Sequence, residues 1–520
     1  MSHSSTESVI GSPEQEAFWG KLLNGSSHIM LEARAGTGKT FSCIEGCKRY
    51  LVGNPRAKVA MLAYNKSIAT ELQARVPAGV KACTMHSLGY AAIREFAEGK
   101  VKVNNWKTSN ILEKLLGKRE LEKLGIPFQI AMRKVVSLAK NTLLSQDYFD
   151  RDFDAMVDHY NLQLNGDESN IKKLLPQVLS ESLNDLSEID FDDMIWLPVV
   201  MGMDLEKFDV LFIDEAQDLN KSRQCLSINS LADDGRLIAV GDPKQAIYGF
   251  AGADAYSMNN LENELKRAWS NSTRQHWDTL DVIHLPLTVS RRCPKSHVKL
   301  AQKIVPDFRA MDDAPEGTIE KMDTEAAINK MGGGDLVLCR MNAPLMGIAY
   351  SLIQKDKPVT IQGRDIGASL AALCTKLVKK DVSIDVNIFS LILDDYLGQE
   401  TLRLDQKSLN TNVSASQYEL LQDKVACIQI ISEGLKTVAD VVARITNLFS
   451  DCDKLGQPKR KVLLSSVHRA KGLEAHTVFI VEPEKMPHPM ATMDWEVGQE
   501  YNIKYVALTR SMDTLVFIEE

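Results

Sequence analysis

The sequence has no long apolar run, and this absence sets the first limit on what the protein can be. Its 520 residues contain no uninterrupted apolar stretch of about 18 residues, the length that a membrane-spanning helix needs. Residues 1–11 are rich in serine and lack the basic start and apolar centre of a secretory signal. We therefore expect no membrane partner and an intracellular location: cytoplasm or nucleoid for a bacterial or phage protein, nucleus for a eukaryotic one.

Clustered cysteines and an excess of positive charge are also missing. The nine cysteines are scattered, and only Cys43 and Cys47 lie close together, with no nearby His or Cys pair to complete a metal site. Reduced, inert thiols are the simpler interpretation. The net charge of −8 argues against a protein that coats nucleic acid by bulk charge, so any nucleic-acid contact requires a local groove.

The length and the strand pattern indicate more than one domain. A chain of 520 residues is too long for a single hydrophobic core. Apolar strands alternate with helices, which is typical of parallel sheets, and two long segments show helical periodicity alone. The pattern predicts an α/β protein with two cores, each carrying a mostly helical insertion. The predicted first domain is 1–90 plus 187–278 with insertion 91–186, and the second is 279–366 plus 456–520 with insertion 367–455.

A glycine-rich turn follows the first predicted strand. Residues 33–40 read Ala-Arg-Ala-Gly-Thr-Gly-Lys-Thr, and the order strand, turn, helix is that of a phosphate-binding loop. The glycines allow successive backbone N–H groups to converge on phosphate oxygens. In such a loop Lys39 reaches the β- and γ-phosphates, and the Thr40 hydroxyl holds Mg²⁺. The predicted phosphate contacts are Ala33, Arg34, Ala35, Gly36, Thr37, Gly38, Lys39 and Thr40.

Two acids end another apolar strand. Asp214 and Glu215 directly follow Val210-Leu-Phe-Ile213, which places both carboxylates at the carboxyl edge of a sheet, where ligands bind. Asp214 is predicted to hold Mg²⁺, and Glu215 to orient and deprotonate the attacking water. An exposed acidic strand end is the alternative for this pair taken alone.

A third motif occupies residues 240–254, which read Val-Gly-Asp-Pro-Lys-Gln-Ala-Ile-Tyr-Gly-Phe-Ala-Gly-Ala-Asp. With Asp-Glu-Ala-Gln at 214–217, this motif resembles the UvrD/Rep branch of superfamily 1 helicases. Further blocks similar to those of that family occur in the same order. They are Gln15, Tyr64-Asn65-Lys66, Thr84-Met85-His86-Ser87, Asp190–Met194, Ser290–Pro294, Cys339–Ala343, His468–Glu474 and Tyr505–Arg510.

The resemblance implies two RecA-like P-loop domains with ATP in the cleft between them, and ATP and Mg²⁺ as cofactors. Gln245 would sense the γ-phosphate, and Arg292 and Arg510 would act as arginine fingers. The implied catalytic residues are Lys39, Asp214, Glu215, Gln245, Arg292 and Arg510. Further implied nucleotide contacts are Gln15, Arg291 and Glu474. The implied DNA contacts are Tyr64, Asn65, Lys66, Thr84, His86, Tyr248, Phe250, Arg340, Asn342 and His468. Tyr248 and Phe250 could instead be core aromatics.

Three functions remain open at this stage. The favoured one is an ATP-dependent DNA helicase or translocase that moves 3′→5′ on single-stranded DNA, acting at single-strand/duplex junctions in repair, replication or recombination. The second is a motor that displaces proteins, or serves a larger complex, without unwinding by itself; the short second insertion motivates it. The third is an ATP-dependent binding switch, motivated by the negative net charge. A protein partner could bind through the helical insertions.

Overall fold

The protein forms two compact units, Met1–Val289 and Ser290–Glu520, and each is built on one six-stranded sheet. The computed structural model describes residues 10–519 with internal gaps. The residues left out within that range are 98, 146, 161, 163, 165, 248–255, 271–280, 342, 363–365, 409–420, 422–423, 426–427, 430, 450–459, 490 and 492.

The first unit alternates strands and helices along the chain. Its strands are β1 (His28–Ala33), β2 (Val59–Ala63), β3 (Val80–Thr84), β4 (Lys102–Val103), β5 (Glu188–Ile189), β6 (Phe208–Ile213), β7 (Leu231–Gly241) and β8 (Val282–Leu287). Its helices are α1 (Pro13–Asn24), α2 (Lys39–Gly53), α3 (Lys66–Arg75), α4 (Met85–Phe96), α5 (Lys107–Leu116), α6 (Lys118–Thr142), α7 (Phe149–His159), α8 (Glu168–Asn184), α9 (Asp193–Val200), α10 (Lys221–Asn229) and α11 (Ser257–Ser270).

The first sheet has the strand order β3-β2-β6-β7-β1-β8, and its described pairings are all parallel. Strand β8 pairs with β1 in the register Ile29↔Ile283. The predicted domain boundary at residue 279 is therefore wrong, because it assigned this strand to the second domain. The strand signal in the sequence is weak here, because β8 is an edge strand that contains Pro286, a residue that sheets accept at their edges.

Both faces of the central strands are buried, which explains their continuous apolar runs. On β1, Met30 faces one core while Ile29 and Leu31 face the other, and β2, β6 and β7 alternate in the same way. The second of these cores also contains Cys43 and Cys47 of α2. Burial raises the pKa of both thiols, so they are protonated packing residues, as the sequence predicted.

The segment predicted as the first insertion contains α5 to α8. These four helices are flanked by a two-residue parallel pair, in which Lys102 of β4 lies opposite Glu188 of β5. Glycine interrupts the helical pattern twice: Gly117, at φ 76°, separates α5 from α6, and Gly125, at φ 80°, kinks α6. The apolar faces of these helices join the core on one side of the first sheet, so the insertion packs against that sheet.

The second unit repeats the α/β pattern. After β9 (Val289–Ser290), its strands are β10 (Arg309–Ala310), β11 (Thr318–Met322), β12 (Leu336–Cys339), β13 (Val359–Ile361), β14 (Val462–Ser466), β15 (Ala475–Val481) and β16 (Ser511–Ile518). Its helices are α12 (Lys295–Ala301), α13 (Thr324–Lys330), α14 (Ala343–Gln354), α15 (Ile366–Leu377), α16 (Val386–Ser408), α17 (Val438–Phe449) and α18 (Asp494–Leu508).

The second sheet has the order β11-β16-β15-β12-β14-β13, again with parallel pairings throughout its described part. The strand pattern of the sequence missed both edges. Strand β11 alternates exposed and half-buried residues, and β13 is only three residues long, so neither carries a strong apolar signal. Helices α15, α16 and α17 lie within or beside the predicted second insertion. In the described part of the chain, no helix is both long and apolar enough to cross a membrane.

Candidate functional site

The phosphate-binding loop joins β1 to α2 in the first unit. Strand β1 ends at the buried Ala33, and α2 begins at Lys39. Gly36 and Gly38 have φ angles of 70° and 83°, a region that side chains disfavour, which explains the glycines at these positions. The Thr37 hydroxyl donates to the backbone oxygen of Arg34 at 2.9 Å and closes the turn. The loop therefore presents the N-terminal end of a 15-residue helix, which favours anions.

Four predicted catalytic and metal-binding side chains meet beside this loop. The Thr40 hydroxyl donates to Oδ2 of Asp214 at 3.1 Å, and Lys39 Nζ lies 3.5 Å from Oε1 of Glu215. The backbone N–H of Glu215 donates to Oδ1 of Asp214 at 2.9 Å. Glu215 has a φ of 56°, so the chain turns sharply at the end of β6 and both carboxylates face the loop.

The electrostatics of this cluster suit a divalent cation. Burial, and then the neighbouring Glu215 carboxylate, raise the pKa of Asp214, because a second negative charge in a dry site disfavours ionisation. A cation placed between Asp214 and Thr40 would relieve this cost. The Thr40 hydroxyl and the Asp214 carboxylate are hard oxygen ligands of the kind that Mg²⁺ prefers, and Mg²⁺ commonly needs only one or two protein carboxylates beside water and phosphate. The residues present fit Mg²⁺.

A hydrogen-bonded chain links Glu215 to Gln245. The Gln217 amide nitrogen donates to Glu215, and its oxygen accepts the backbone N–H of Asp242 at 2.9 Å. Asp242 in turn accepts the Gln245 amide on Oδ2 at 2.8 Å. Residue 241 must be glycine for this approach, because a Cβ there would lie 2.4 Å from the Gln217 oxygen. The structure therefore brings Gln245 into the same network as the acids that end β6.

Two predicted nucleotide contacts have protein partners in the structure. Arg34 pairs with Asp242, its Nη1 lying 3.1 Å from Oδ1. Gln15 is buried; its oxygen accepts the backbone N–H of Ser12, and its amide nitrogen donates to the Ser42 hydroxyl at 2.9 Å. Gln15 thereby caps α1 and ties it to the phosphate-loop helix. The adenine contact implied for Gln15 stays a prediction.

A groove of about 990 Å³ runs along the carboxyl ends of β2 and β3. Its lining includes all five DNA contacts predicted in this part of the chain: Tyr64, Asn65, Lys66, Thr84 and His86. Two of them are helix caps as well, since Asn65 accepts the backbone N–H of Ile68, and Thr84 that of Ser87. The groove therefore receives the N-terminal ends of two helices, α3 and α4, and these ends favour phosphate.

Two groove residues, Phe191 and Tyr90, and the nearby Arg223 were given no role from the sequence. Phe191 lies edge-on to His86, with 6.0 Å between ring centroids, and is 53% exposed. The Arg223 guanidinium lies 5.1 Å from the centre of the Tyr64 ring, and Tyr90 lines the groove near α9. Burial and the charge of Arg223 lower the pKa of His86 to about 4, so this ring is neutral at pH 7. A phenylalanine flanked by aspartates in the Asp190–Met194 block was the signal available in the sequence.

A buried ion cluster fixes this block to the first insertion. Asp193 accepts Lys107 Nζ from α5 and Lys140 Nζ from α6, both at 2.8 Å, and Lys140 also contacts Asp190 at 2.7 Å. Asp193 and both lysines are at most 2% exposed. The charges of Lys140 and Lys107 lower the pKa of Asp193 despite its burial. Phe191 lies between two residues of this cluster, so the insertion sets where the Phe191 ring enters the groove.

Three predicted residues of the second unit, Arg292, Arg340 and Glu474, are engaged in ion pairs. Arg292 pairs with Glu474, and Arg340 makes a bidentate pair with Glu500, with a closest contact of 2.6 Å. Arg510 is 1% exposed and donates to backbone oxygens, including that of Val506 at 2.9 Å.

Five further predicted residues complete the set. Arg291 is exposed. His468 is half-buried, and burial, with a smaller effect of Arg340, lowers its pKa to about 4. Tyr248, Phe250 and Asn342 lie outside the described residues.

Comparison with known proteins relates the phosphate loop, the acids after β6 and the groove to a helicase domain. A family model described as the UvrD/REP helicase N-terminal domain matches residues 14–266, which include the phosphate loop, the acids after β6 and the groove. This part of the chain is similar to the UvrD/Rep helicases. The sequence-based recognition is thereby confirmed, and the two parallel sheets confirm the predicted fold class.

Individual relatives extend the similarity beyond the matched domain. F-box DNA helicase protein 1 of Schizosaccharomyces pombe is 26% identical over 258 residues, which cover 46% of this chain and 28% of that protein. The ATP-dependent DNA helicase PcrA of Leuconostoc citreum is 22% identical over 606 residues, covering 94% of this chain and 79% of that protein. PcrA of Staphylococcus aureus is 22% identical over 424 residues, covering 63% of this chain and 58% of that protein. The chain thus spans only part of the length of these relatives.

Proposed function

We propose that the protein is an ATP-dependent DNA helicase or translocase that moves 3′→5′ along single-stranded DNA. The observation that carries the proposal is the meeting of Lys39, Thr40, Asp214 and Glu215 beside a phosphate-binding loop, in the same unit as a groove of about 990 Å³. The match of residues 14–266 to the UvrD/REP helicase N-terminal domain and the names of the PcrA relatives support it. Junctions of single-stranded and duplex DNA are the proposed substrates, in repair, replication or recombination.

In the proposed reaction, the loop N–H groups and Lys39 bind the β- and γ-phosphates. Thr40 and Asp214 would hold Mg²⁺, which supplies charge neutralisation on the phosphates when bound. Glu215 is positioned as the base that accepts a proton from the attacking water, and its carboxylate is oriented by Gln217. Roles for Arg292 and Arg510 as arginine fingers remain part of the proposal.

The groove residues would bind the DNA strand. Lys66 is exposed and the N-terminal ends of α3 and α4 favour phosphate, while the aromatic rings of Tyr64 and Phe191 offer faces for bases. A local groove of this kind reconciles DNA binding with the net charge of −8, because the contact needs no overall positive charge. A protein partner through the helical insertions also belongs to the proposal.

The deciding experiment is ATP hydrolysis by the purified chain, without DNA and with single-stranded DNA of several lengths. A translocating motor gives turnover that rises with strand length, whereas turnover that ignores DNA contradicts the proposal. Lys39→Ala should reduce turnover at least about 100-fold, since it removes a positive charge from the transferred phosphate. Lys48→Ala is the matched control, because Lys48 lies on the same helix with its side chain 54% exposed.

Unwinding and polarity are tested on tailed duplexes. Opening of a 3′-tailed duplex but not of a 5′-tailed one supports the helicase and its direction, and the reverse preference contradicts the direction. Length-dependent hydrolysis without strand separation supports instead the second candidate, a translocase that displaces proteins or drives a larger complex.

A further inference from the structure

Arg34 stands inside the phosphate-binding loop, yet its charge is directed into the protein. The residue is 8% exposed, and its Nη1 donates to Oδ1 of Asp242 at 3.1 Å. A second carboxylate, that of Glu32, is 3.8 Å from Nη2 but is 41% exposed, so Asp242 is the stronger partner. The pair joins the loop after β1 to the segment after β7, 208 positions along the chain.

Asp242 also contacts Gln245, and so links Arg34 to Gln245. The Asp242 side chain is 0% exposed, and its two oxygens accept hydrogen bonds from different donors. Oδ1 accepts Arg34 and the backbone N–H of Lys244, and Oδ2 accepts the Gln245 amide at 2.8 Å. Oδ2, which holds Gln245, therefore belongs to the same carboxylate as the oxygen that pairs with Arg34. Arg34 fixes the position of this carboxylate and balances its charge.

Charge balance keeps Arg34 in place. Removing one partner of a buried ion pair leaves an uncompensated charge, which is strongly unfavourable. If the guanidinium turned to a bound phosphate, the buried Asp242 carboxylate would lose its cation. A planar guanidinium also fixes an acceptor more firmly than a flexible ammonium does, so lysine is an incomplete substitute.

We propose that Arg34 is a positioning residue, which acts through Asp242 to hold the Gln245 amide and so sets the preference of the site for a nucleoside triphosphate over a diphosphate. Arg34 makes no contact with the nucleotide in this arrangement. The inference rests on the proposed function, in which Gln245 faces the γ-phosphate. It gives Arg34 a different role from the phosphate contact that its place in the loop predicts.

The test compares the affinities of a non-hydrolysable ATP analogue and of ADP, each measured by competition with a fluorescent nucleotide on the full chain. The variants are Arg34→Met, Arg34→Lys, Asp242→Asn, the double variant Arg34→Met/Asp242→Asn, and Gln245→Ala. Each is measured below its unfolding temperature, with kcat and KM for ATP determined in parallel.

We expect Arg34→Met to lower the preference for the ATP analogue over ADP about tenfold, while the affinity for ADP stays nearly unchanged. A factor of about ten is the scale of one lost hydrogen bond to a charged group. Arg34→Lys should retain part of the preference. The double variant should lose less than the product of the two single losses, because neutralising both partners removes the unpaired charge.

Three results would overturn the inference. The first is that Arg34→Met weakens the affinities for ADP and for the ATP analogue equally, and the second is that the loss of preference in the double variant equals the product of the losses in the single variants. The third is that both Arg34 variants keep the full preference for the triphosphate. Gln245→Ala separates this failure from that of the proposed function. If Gln245→Ala keeps the triphosphate preference, the role proposed for Gln245 itself is wrong. If it loses the preference while the Arg34 variants keep it, only the role of Arg34 is wrong.

Discussion

The Thr40 hydroxyl lies 3.1 Å from Oδ2 of Asp214, although the two residues are 174 positions apart in the chain. Strand β6 lies between β2 and β7, and β7 lies beside β1, so parallel pairing brings the carboxyl ends of β1 and β6 to one edge of the sheet. The phosphate loop follows β1 and the acids follow β6. The candidate nucleotide site is therefore a direct consequence of strand order.

Glu215→Gln should separate nucleotide binding from hydrolysis. Glutamine keeps the size and the contact with Gln217 but cannot accept a proton, so we expect turnover to fall about 100- to 10,000-fold while ATP affinity stays close to that of the parent. Steady-state hydrolysis and equilibrium nucleotide binding measure the two effects. Glu206→Gln, on a glutamate whose side chain is 46% exposed, is the control. Undiminished turnover in Glu215→Gln would assign the base to another residue.

Phe191→Ala should weaken single-stranded DNA binding. The exposed ring borders the groove beside His86, and loss of one base-stacking aromatic costs about 1–3 kcal/mol. Fluorescence anisotropy with a labelled oligonucleotide measures the affinity, and hydrolysis without DNA should be unaffected. Phe96→Ala is the matched control, because Phe96 is 51% exposed against 53% for Phe191 but does not line the groove. Equal DNA affinity in both variants would remove Phe191 from the interface.

Breaking the buried cluster around Asp193 should destabilise the first unit. Lys107→Met leaves Asp193 with one cation fewer in a buried site, and we expect a loss of about 3–5 kcal/mol in the free energy of unfolding. Denaturant titration followed by tryptophan fluorescence measures it. Lys114→Met breaks the surface pair with Glu181, whose members are 70% and 31% exposed, and should cost no more than about 1 kcal/mol. Similar losses in the two variants would contradict the role of the cluster.

His28 should make stability fall in mild acid. Burial lowers its pKa from 6.5 to about 4, and its Nδ1 accepts the backbone N–H of Leu237, so the folded ring stays neutral. Between these two pKa values the unfolded chain binds the proton more readily than the folded chain. Stability is therefore present above pH 6.5 and is lost as the pH falls towards 4, by about 2 kcal/mol from pH 7 to pH 5.

His28→Asn isolates this contribution, because the asparagine oxygen can accept the same N–H without titrating. The variant should lose less stability than the parent between pH 7 and pH 5. Denaturant titrations at the two pH values give the comparison. An unchanged pH dependence in His28→Asn would show that other groups cause the acid sensitivity.

Central strands and the phosphate loop could be predicted from the sequence because their signals are local. A strand buried on both faces reads as a continuous apolar run, and a loop that holds phosphate needs glycines at fixed spacing. The edge strands were missed or misassigned for the same reason: β8, β11 and β13 are half-exposed or short, so burial places fewer constraints on their residues.

The sequence by itself determined the resemblance to the UvrD/Rep helicases, the α/β class and the set of chemical groups, since each depends on residue type and order along the chain. Only the tertiary structure decided which groups are neighbours. It placed Arg34 against Asp242 and Phe191 at the groove wall, and it buried Asp193 between two lysines. These contacts join residues up to 208 positions apart in the chain. They depend on strand order and helix packing, and the spacing of residues within a motif specifies neither.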